Sequence, residues 1–519
     1  MDWLWASDWA QHLLGWLFFR NEPWGIPPGA IRGAAFPLGT SIGYTDSNPL
    51  MAMVVKLFSD RLPTDFQYIG PWLGLCFALQ GMVGAKLVSM VARGRLTPLL
   101  GGLLFATAPV LMRRIGHDTL CAHFLILGAI GLNLARPSSA REARRLRLMG
   151  VGIVVVSALV HPYLAMMNLA LGTALLWHHH SLRLLSRSAL LITSGSALSA
   201  TALIFFLSGY WGGGVDVGAW GLGDYSASPL TFFDSMGRSR WLPALPARPY
   251  QYEGFAYLGL GGVALLALSV LALARNWGNV RDGGIFPRPL RWVSLGLALF
   301  AVVPWFPPGI EGLLSPFRSS GRFIWPFCYL LLLATISILT ELLATRMALA
   351  SAVLCSVLLL QVLDARPELI RPEFLAKSLA LPRAAAWDLA DGYRHLAMYP
   401  MTVKDTCAPW DEPRVTRYAY RAYRSKLTYN SGYFARINRA ALKRACGDLA
   451  RDIEGQRLDP QTIYLVPRSE DVGLFLAAGA TCGRVEADVA TCVSSANDDP
   501  FRAWLTANPV SAQRPAPGP

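Results

Sequence analysis

Charge is scarce in this 519-residue chain: Asp, Glu, Lys and Arg make up 15% of it, against roughly 25% in an ordinary soluble domain. Hydrophobic residues make up 53%, and the balance points to a polytopic membrane protein. Acids are scarcer than bases, 33 against 47, leaving a net charge of +14. A surplus of that size raises the question of nucleic acid. The arginines, however, sit in short clusters between apolar runs, as loops between membrane spans do, so nucleic acid is set aside as a partner. The chain has no CxxC pair, no HExxH, no Walker loop and no GxGxxG. Zinc-finger, zincin, P-loop and dinucleotide-binding chemistry therefore have no sequence support. No internal repeat is present. Met1–Ala6 is short and lacks a basic n-region, so no cleavable signal peptide is read.

What is present is a series of apolar runs near the ~20 residues that a span requires. They are Tyr68–Val91, Leu96–Leu111, Thr119–Ala135, Leu148–Val160, Tyr163–Trp177, Ala189–Ser208, Phe255–Ala274, Val293–Trp305, Phe323–Leu343 and Met347–Leu363. The expectation is about ten spans. His161-Pro162 divides what would otherwise be one long helix, because the residue before proline is pushed out of the helical region. Taken alternately, one set of loops carries fourteen arginines in short clusters and the other carries seven in longer ones. The positive-inside rule places the first set in the cytoplasm. The loop 210–253, the loop of Arg318 and Arg322, and the C-terminal part then lie outside, in the periplasm if the source is bacterial. The opening stretch lies outside too, so either Asp2–Trp24 crosses unaided or a further span precedes Met1, and the second is expected.

From about Asp364 the character changes to Arg, Asp and Tyr. Leu381–Met398 and Phe434–Ile453 read as amphipathic helices, and Asn430-Ser431-Gly432 as a turn. Thr462–Val466 and Val485–Val493 read as strands, and Ala507–Pro519 as a disordered Pro-rich end. Cys407, Cys446, Cys482 and Cys492 form an even set suited to disulfides, with Cys482 and Cys492 placed to close a hairpin. Cys76, Cys121, Cys328 and Cys355 lie in or beside apolar runs and read as inert small apolar residues.

Candidate chemistry gathers at four places. The opening stretch, Ser7–Leu50, reads as an acidic, aromatic-rich loop. In it Asp8 and Asp46 could serve as general base or metal ligand, among Gln11, His12, Arg20, Glu22 and Trp24. The ordinary alternatives are a solvated acid or, for Asp46, the cap of a helix starting near Pro49. The second cluster, RRIGHDTLCAH, holds Arg113, Arg114, His117, Asp118 and His123, with guanidiniums that fit phosphate or simply meet lipid head groups. The third, SPFRSSGRFIWP, holds Arg318 and Arg322 around a Ser-Ser-Gly turn, on the side where arginine is disfavoured. It reads as an anion cradle or as a snorkelling pair. The fourth, the loop 210–253, mixes Asp216, Asp224, Asp234, Trp220, Trp241 and Tyr225 and ends at Glu253. Carboxylates beside aromatic rings suit sugars, but interfacial loops are commonly aromatic in any case. His178–His180 reads as part of a polar cytoplasmic loop rather than a metal site.

The segments DWAQHLLGWLFFRNEPW, YTDSNPL, GHDTLCAH, YEGFAYLGLG and FRSSGRFIWP resemble a bacterial polytopic membrane family known only as a domain of unknown function. That family is similar in plan to GT-C glycosyltransferases, which use polyprenyl-phosphate sugars. The resemblance implies a GT-C-like α-helical bundle of about ten spans with a small C-terminal α/β periplasmic domain. The divisions are an outer acidic loop (1–66), a transmembrane domain (67–363), a periplasmic α/β domain (364–506) and a tail (507–519). It implies an inner-membrane enzyme moving a sugar from a polyprenyl-phosphate donor to a cell-envelope glycan or lipid acceptor. Asp8 and Asp46 would be catalytic. His12, Arg20, Arg113, Arg114, His117, His123, Glu253, Arg318 and Arg322 would lie on the substrate and phosphate side. The reaction admits Mg²⁺ or Mn²⁺ without demanding it. The alternative is a non-enzymatic transporter of lipid-linked glycan, or an envelope-assembly scaffold. It is disfavoured because most polar residues sit at the ends of spans rather than at their midplane.

Overall fold

The computed structural model describes residues 4–5, 7–211, 221–275, 285–366, 385–403 and 406–510. Asp216, Trp220, Arg281, the start of the expected helix at Leu381 and the end of the Pro-rich tail (511–519) lie outside these residues. The chain divides into two compact units. The first comprises Met1–Gln67, Phe206–Asp216 and Leu375–Pro519, and the second Tyr68–Phe205 and Val217–Phe374.

The second unit is helical. Helices occupy the apolar runs, among them Ile69–Val91, Thr97–Ala106, Phe124–Leu134, Ala140–Val160, Pro162–Ser181, Gly259–Arg275, Arg288–Val302, Trp325–Leu342 and Met347–Asp364. Small residues let them approach. A Cβ on Gly102 would lie 2.6 Å from the Gly81 carbonyl oxygen, and one on Gly84 2.7 Å from the Phe105 Cβ, a glycine-lined crossing of the kind found between membrane helices. His161 ends one helix in extended geometry and its Nδ1 accepts from the Tyr163 amide of the next, as its place before Pro162 requires.

The count of ten spans is not upheld. Among the described residues, four helices are long and apolar enough to cross a membrane: Ile69–Val91, Arg187–Leu207, Ser320–Leu342 and Met347–Asp364. Thr97–Met112, Asp118–Leu134 and Gly259–Arg275 are apolar but shorter. Ala140–Val160 has the length, but its first eight residues carry four arginines and a glutamate. Pro162–Ser181 ends in His178, His179 and His180, which therefore form a helical last turn and not a loop. His179 is buried there.

In the first unit the opening stretch is not a loop. Ser7–Asn21 is a helix with Asp8 in its first turn and Arg20 in its last. Each charge thus sits at the end of the macrodipole that favours it, so neither interrupts the helix. A two-residue ladder, β1 (Ala30–Ile31) with β2 (Thr40–Ser41), follows. The helix Pro49–Lys56 is capped by Asn48, whose side chain accepts from the Met51 amide. Asp46 is therefore not its cap.

The C-terminal residues form a five-stranded mixed sheet of order β4-β3-β5-β7-β6. Its strands are β3 (His395–Met398), β4 (Thr428–Tyr429), β5 (Thr462–Val466), β6 (Ala480–Glu486) and β7 (Val489–Ser494). The strand expected at Thr462–Val466 is present. The single strand expected at Val485–Val493 is instead the end of one arm, the turn and most of the second arm of a hairpin. The helix expected over Leu381–Met398 gives way to a short 3-10 turn, Ala385–Leu389, and to β3. β3 is held on both sides, parallel to β4 and to β5, and this pairing overrides the local helical pattern. The second expected helix runs Arg439–Glu454. A helix at Glu412–Arg424 was not foreseen; Asp411 caps it.

The sheet domain and the opening stretch fold as one unit. Tyr429 exchanges backbone hydrogen bonds with Gly33 and Phe36. Asp65 accepts from Tyr420 and pairs with Arg424, and the Tyr423 hydroxyl donates to the Thr64 carbonyl. Disulfides join Cys407 to Cys446 and Cys482 to Cys492, the second across β6 and β7. Replacing Cys482 and Cys492 by serine is expected to cost about 3 kcal/mol through the larger unfolded ensemble. Amide exchange in β6 and β7 of the full chain should accelerate accordingly, and unchanged exchange would show that the bridge adds nothing.

Candidate functional site

In the first unit the site is built on the opening helix. Asp8 and His12 are four residues apart and share one helical face. Gly15 lies one turn further on. A Cβ there would fall 2.2 Å from Ser47 Oγ and 2.3 Å from Thr45 Cβ, so the glycine is what admits the Thr45–Asp46–Ser47 turn against the helix. The Ser47 hydroxyl donates to the His12 carbonyl at 2.8 Å and bonds Thr45 Oγ1 at 2.8 Å. Gln11 Nε2 donates to the Tyr44 carbonyl. Asp46, at the turn's apex, has φ +52°, a left-handed geometry that aspartate tolerates better than most residues. Gly15→Ala is expected to cost about 1–3 kcal/mol by overpacking, read as a lower unfolding temperature.

This packing brings a carboxylate oxygen of Asp46 and a ring nitrogen of His12 within 4.8 Å of one another. Two donors each ~2.0–2.2 Å from one ion stand at most about 4.4 Å apart, so a small adjustment lets both hold a divalent metal. An imidazole with a carboxylate suits Mn²⁺ or Zn²⁺ better than Ca²⁺. Burial, and then the Asp46 carboxylate, push the Tyr210 phenol well above its usual range.

Asp8, half-buried, lines a cleft of about 160 Å³ between the opening helix and the C-terminal residues. Trp410, Thr416, Ser431 and Tyr433 line its other side. No spacing in the sequence links Asp8 to these residues near the far end of the chain, and sequence reasoning missed them. Arg20, expected on the substrate side, is structural. Its guanidinium donates to the carbonyls of Ser59, Leu62, Pro63 and Thr64 at 2.7–3.2 Å. Glu22 accepts from the Arg32 and Gly33 amides.

The second unit gathers another set. Glu253 Oε2 accepts from Arg114 Nη1 at 2.9 Å and from Arg322 Nε at 3.0 Å. Arg114 Nη2 also donates to the Glu253 carbonyl at 2.9 Å. Both arginines are buried and stack on rings, Arg114 on Trp325 and Arg322 on Tyr163. Burial alone would raise the Glu253 pKa; Arg322 and then Arg114 outweigh it and hold the carboxyl well below the usual range. Two guanidiniums thus share this one carboxylate oxygen. Arg318 lies over the Tyr225 ring at 5.8 Å. His117 contacts the His161 ring, and His123 Nδ1 bonds the Tyr329 hydroxyl at 2.6 Å in full burial. Arg113 is half-buried. Asp234, read as sugar-facing, is occupied by the Met236 and Leu245 amides.

These features define a mostly helical protein with a small disulfide-bonded sheet domain and, among the described residues, four helices long and apolar enough to cross a membrane. The chain belongs to the DUF6311 family, a domain of unknown function, which covers residues 1–366. The DUF6311 C-terminal domain covers residues 386–494. No curated protein matches the chain.

Proposed function

We propose that the protein is a glycosyltransferase of GT-C plan. It moves a sugar from a polyprenyl-phosphate donor to a hydroxyl of a cell-envelope glycan or lipid, on the periplasmic face of a bacterial inner membrane. The observation that carries this reading is the opening helix, which presents Asp8 to a cleft and His12 to Asp46 on the same face. Asp8 takes the proton of the acceptor hydroxyl as its oxygen attacks the anomeric carbon. The bond from that carbon to the phosphate oxygen breaks, its electron pair leaves with the phosphate, and the configuration inverts. A divalent ion held by His12 and Asp46 would supply charge neutralisation for a phosphate group. The test is transfer of a labelled sugar from polyprenyl phosphate by the purified protein in liposomes, with the product's anomeric configuration read by NMR. Inverted product is expected. No transfer, or a retained configuration, overturns the proposal.

A further inference from the structure

The cleft at Asp8 is chemically particular. Among the described residues its lining includes no Lys, Arg or His, so none of them answers a phosphate, a nucleotide or a carboxylate. The polar side chains of Asp8, Gln11 and Thr416 stand among the apolar ones of Leu14, Phe18 and Val415, so a guest with both polar and apolar faces matches the walls better than a bare acyl chain. One side is aromatic. The rings of Trp410 and Tyr433 stand 5.9 Å apart, tilted at 54°, and both residues are half-exposed. At about 160 Å³ the cleft is smaller than the roughly 300–1,000 Å³ of pockets that take drug-sized molecules. A small neutral guest rich in hydroxyls, with one apolar face, fits this lining.

We infer that this cleft is the acceptor subsite and that it takes a single neutral pyranose ring. The ring's C–H face lies on Trp410, and its hydroxyls bond to Asp8 and Thr416. The inference rests on the transfer reading and deepens it: the acceptor is a sugar hydroxyl rather than a lipid alcohol or a peptide, and the C-terminal domain chooses it. The Cys407–Cys446 disulfide anchors the segment that carries Trp410, and the Asp411 cap begins the helix that carries Thr416. The platform is thus fixed by the fold.

Binding is tested without any donor. The full-length protein in lipid nanodiscs is titrated with the methyl glycosides of glucose, galactose, mannose and N-acetylglucosamine, and followed by saturation-transfer NMR. At least one glycoside should bind in the millimolar range. Trp410→Ala should weaken it by about tenfold or more, Trp410→Phe should recover most of the loss, and Trp504→Ala should change nothing. Inorganic phosphate should not compete. No binding by any glycoside, binding indifferent to Trp410→Ala, or displacement by phosphate each overturns the inference. The two readings fail separately. Glycoside binding with no transfer leaves the subsite and removes the enzyme. Transfer with an acceptor KM unmoved by Trp410→Ala leaves the enzyme and removes the subsite.

Discussion

Asp8→Asn is expected to lower sugar transfer about 10²- to 10⁴-fold, the usual contribution of a positioned general base. The amide has the carboxylate's shape and keeps its hydrogen-bonding reach, but it cannot take a proton at working pH. The loss should therefore fall on kcat, with the acceptor KM nearly unchanged. Removing a negative charge from the first turn of the opening helix costs only about 0.3–1 kcal/mol, so the variant should fold and insert. Asp46→Asn separates the two acids. If Asp46 and His12 hold a metal, its variant should need more Mn²⁺ for half-maximal rate, and the Asp8 variant should not. A wild-type rate in Asp8→Asn would remove Asp8 from the chemistry.

Glu253→Gln is expected to destabilise the protein by about 3–5 kcal/mol, because it leaves two buried guanidiniums without their shared anion. The variant keeps an oxygen for one of them, yet the charge it cancelled is gone. Removing one cation as well, in Glu253→Gln with Arg114→Met, should return part of the loss, a coupling that a double-mutant cycle measures. The same site sets a pH dependence. The folded carboxyl is held below its unfolded value, so protons bind the unfolded chain first as pH falls. The stabilisation is complete above the ordinary glutamate pKa of ~4.3 and is lost progressively below it. Thermal unfolding in detergent at ~pH 7 and ~pH 3 should therefore show the gap between wild type and Glu253→Gln closing on acidification. A constant gap would assign the loss to packing instead of charge.

Apolar length and proline position were legible in the sequence, and they located the helices of the second unit and the break at His161-Pro162. The number of spans was not. The count took every apolar run as a crossing, while the histidines of Pro162–Ser181, the arginines of Ala140–Val160 and the short Thr97–Ala106 set them apart. The opening helix was misread as a loop because its charges were counted without their positions; Asp8 and Arg20 lie at its two ends. The hairpin of Cys482 and Cys492 could be placed because its signal is local. The strand His395–Met398 could not, since its partners at Thr428 and Thr462 are distant in sequence. The same holds for the site. Asp8, His12 and Asp46 were visible as a group within one stretch. Trp410 and Thr416 come from the other end of the chain, and Glu253 joins Arg114 to Arg322 only through the fold.

The bridge between Gly33 or Phe36 and Tyr429 has a temporal side. A ribosome that has finished the first unit's opening stretch still has some 380 residues to add before Tyr429 exists, roughly 20–75 s at about 5–20 residues per second. Trp5 and Phe18, both buried in the finished protein and set against Tyr420 and Tyr423, are made long before the rings that cover them. During that wait the bilayer is the nearest shelter for them, so the newborn opening helix should rest against lipid first and exchange it for protein only when the chain is complete.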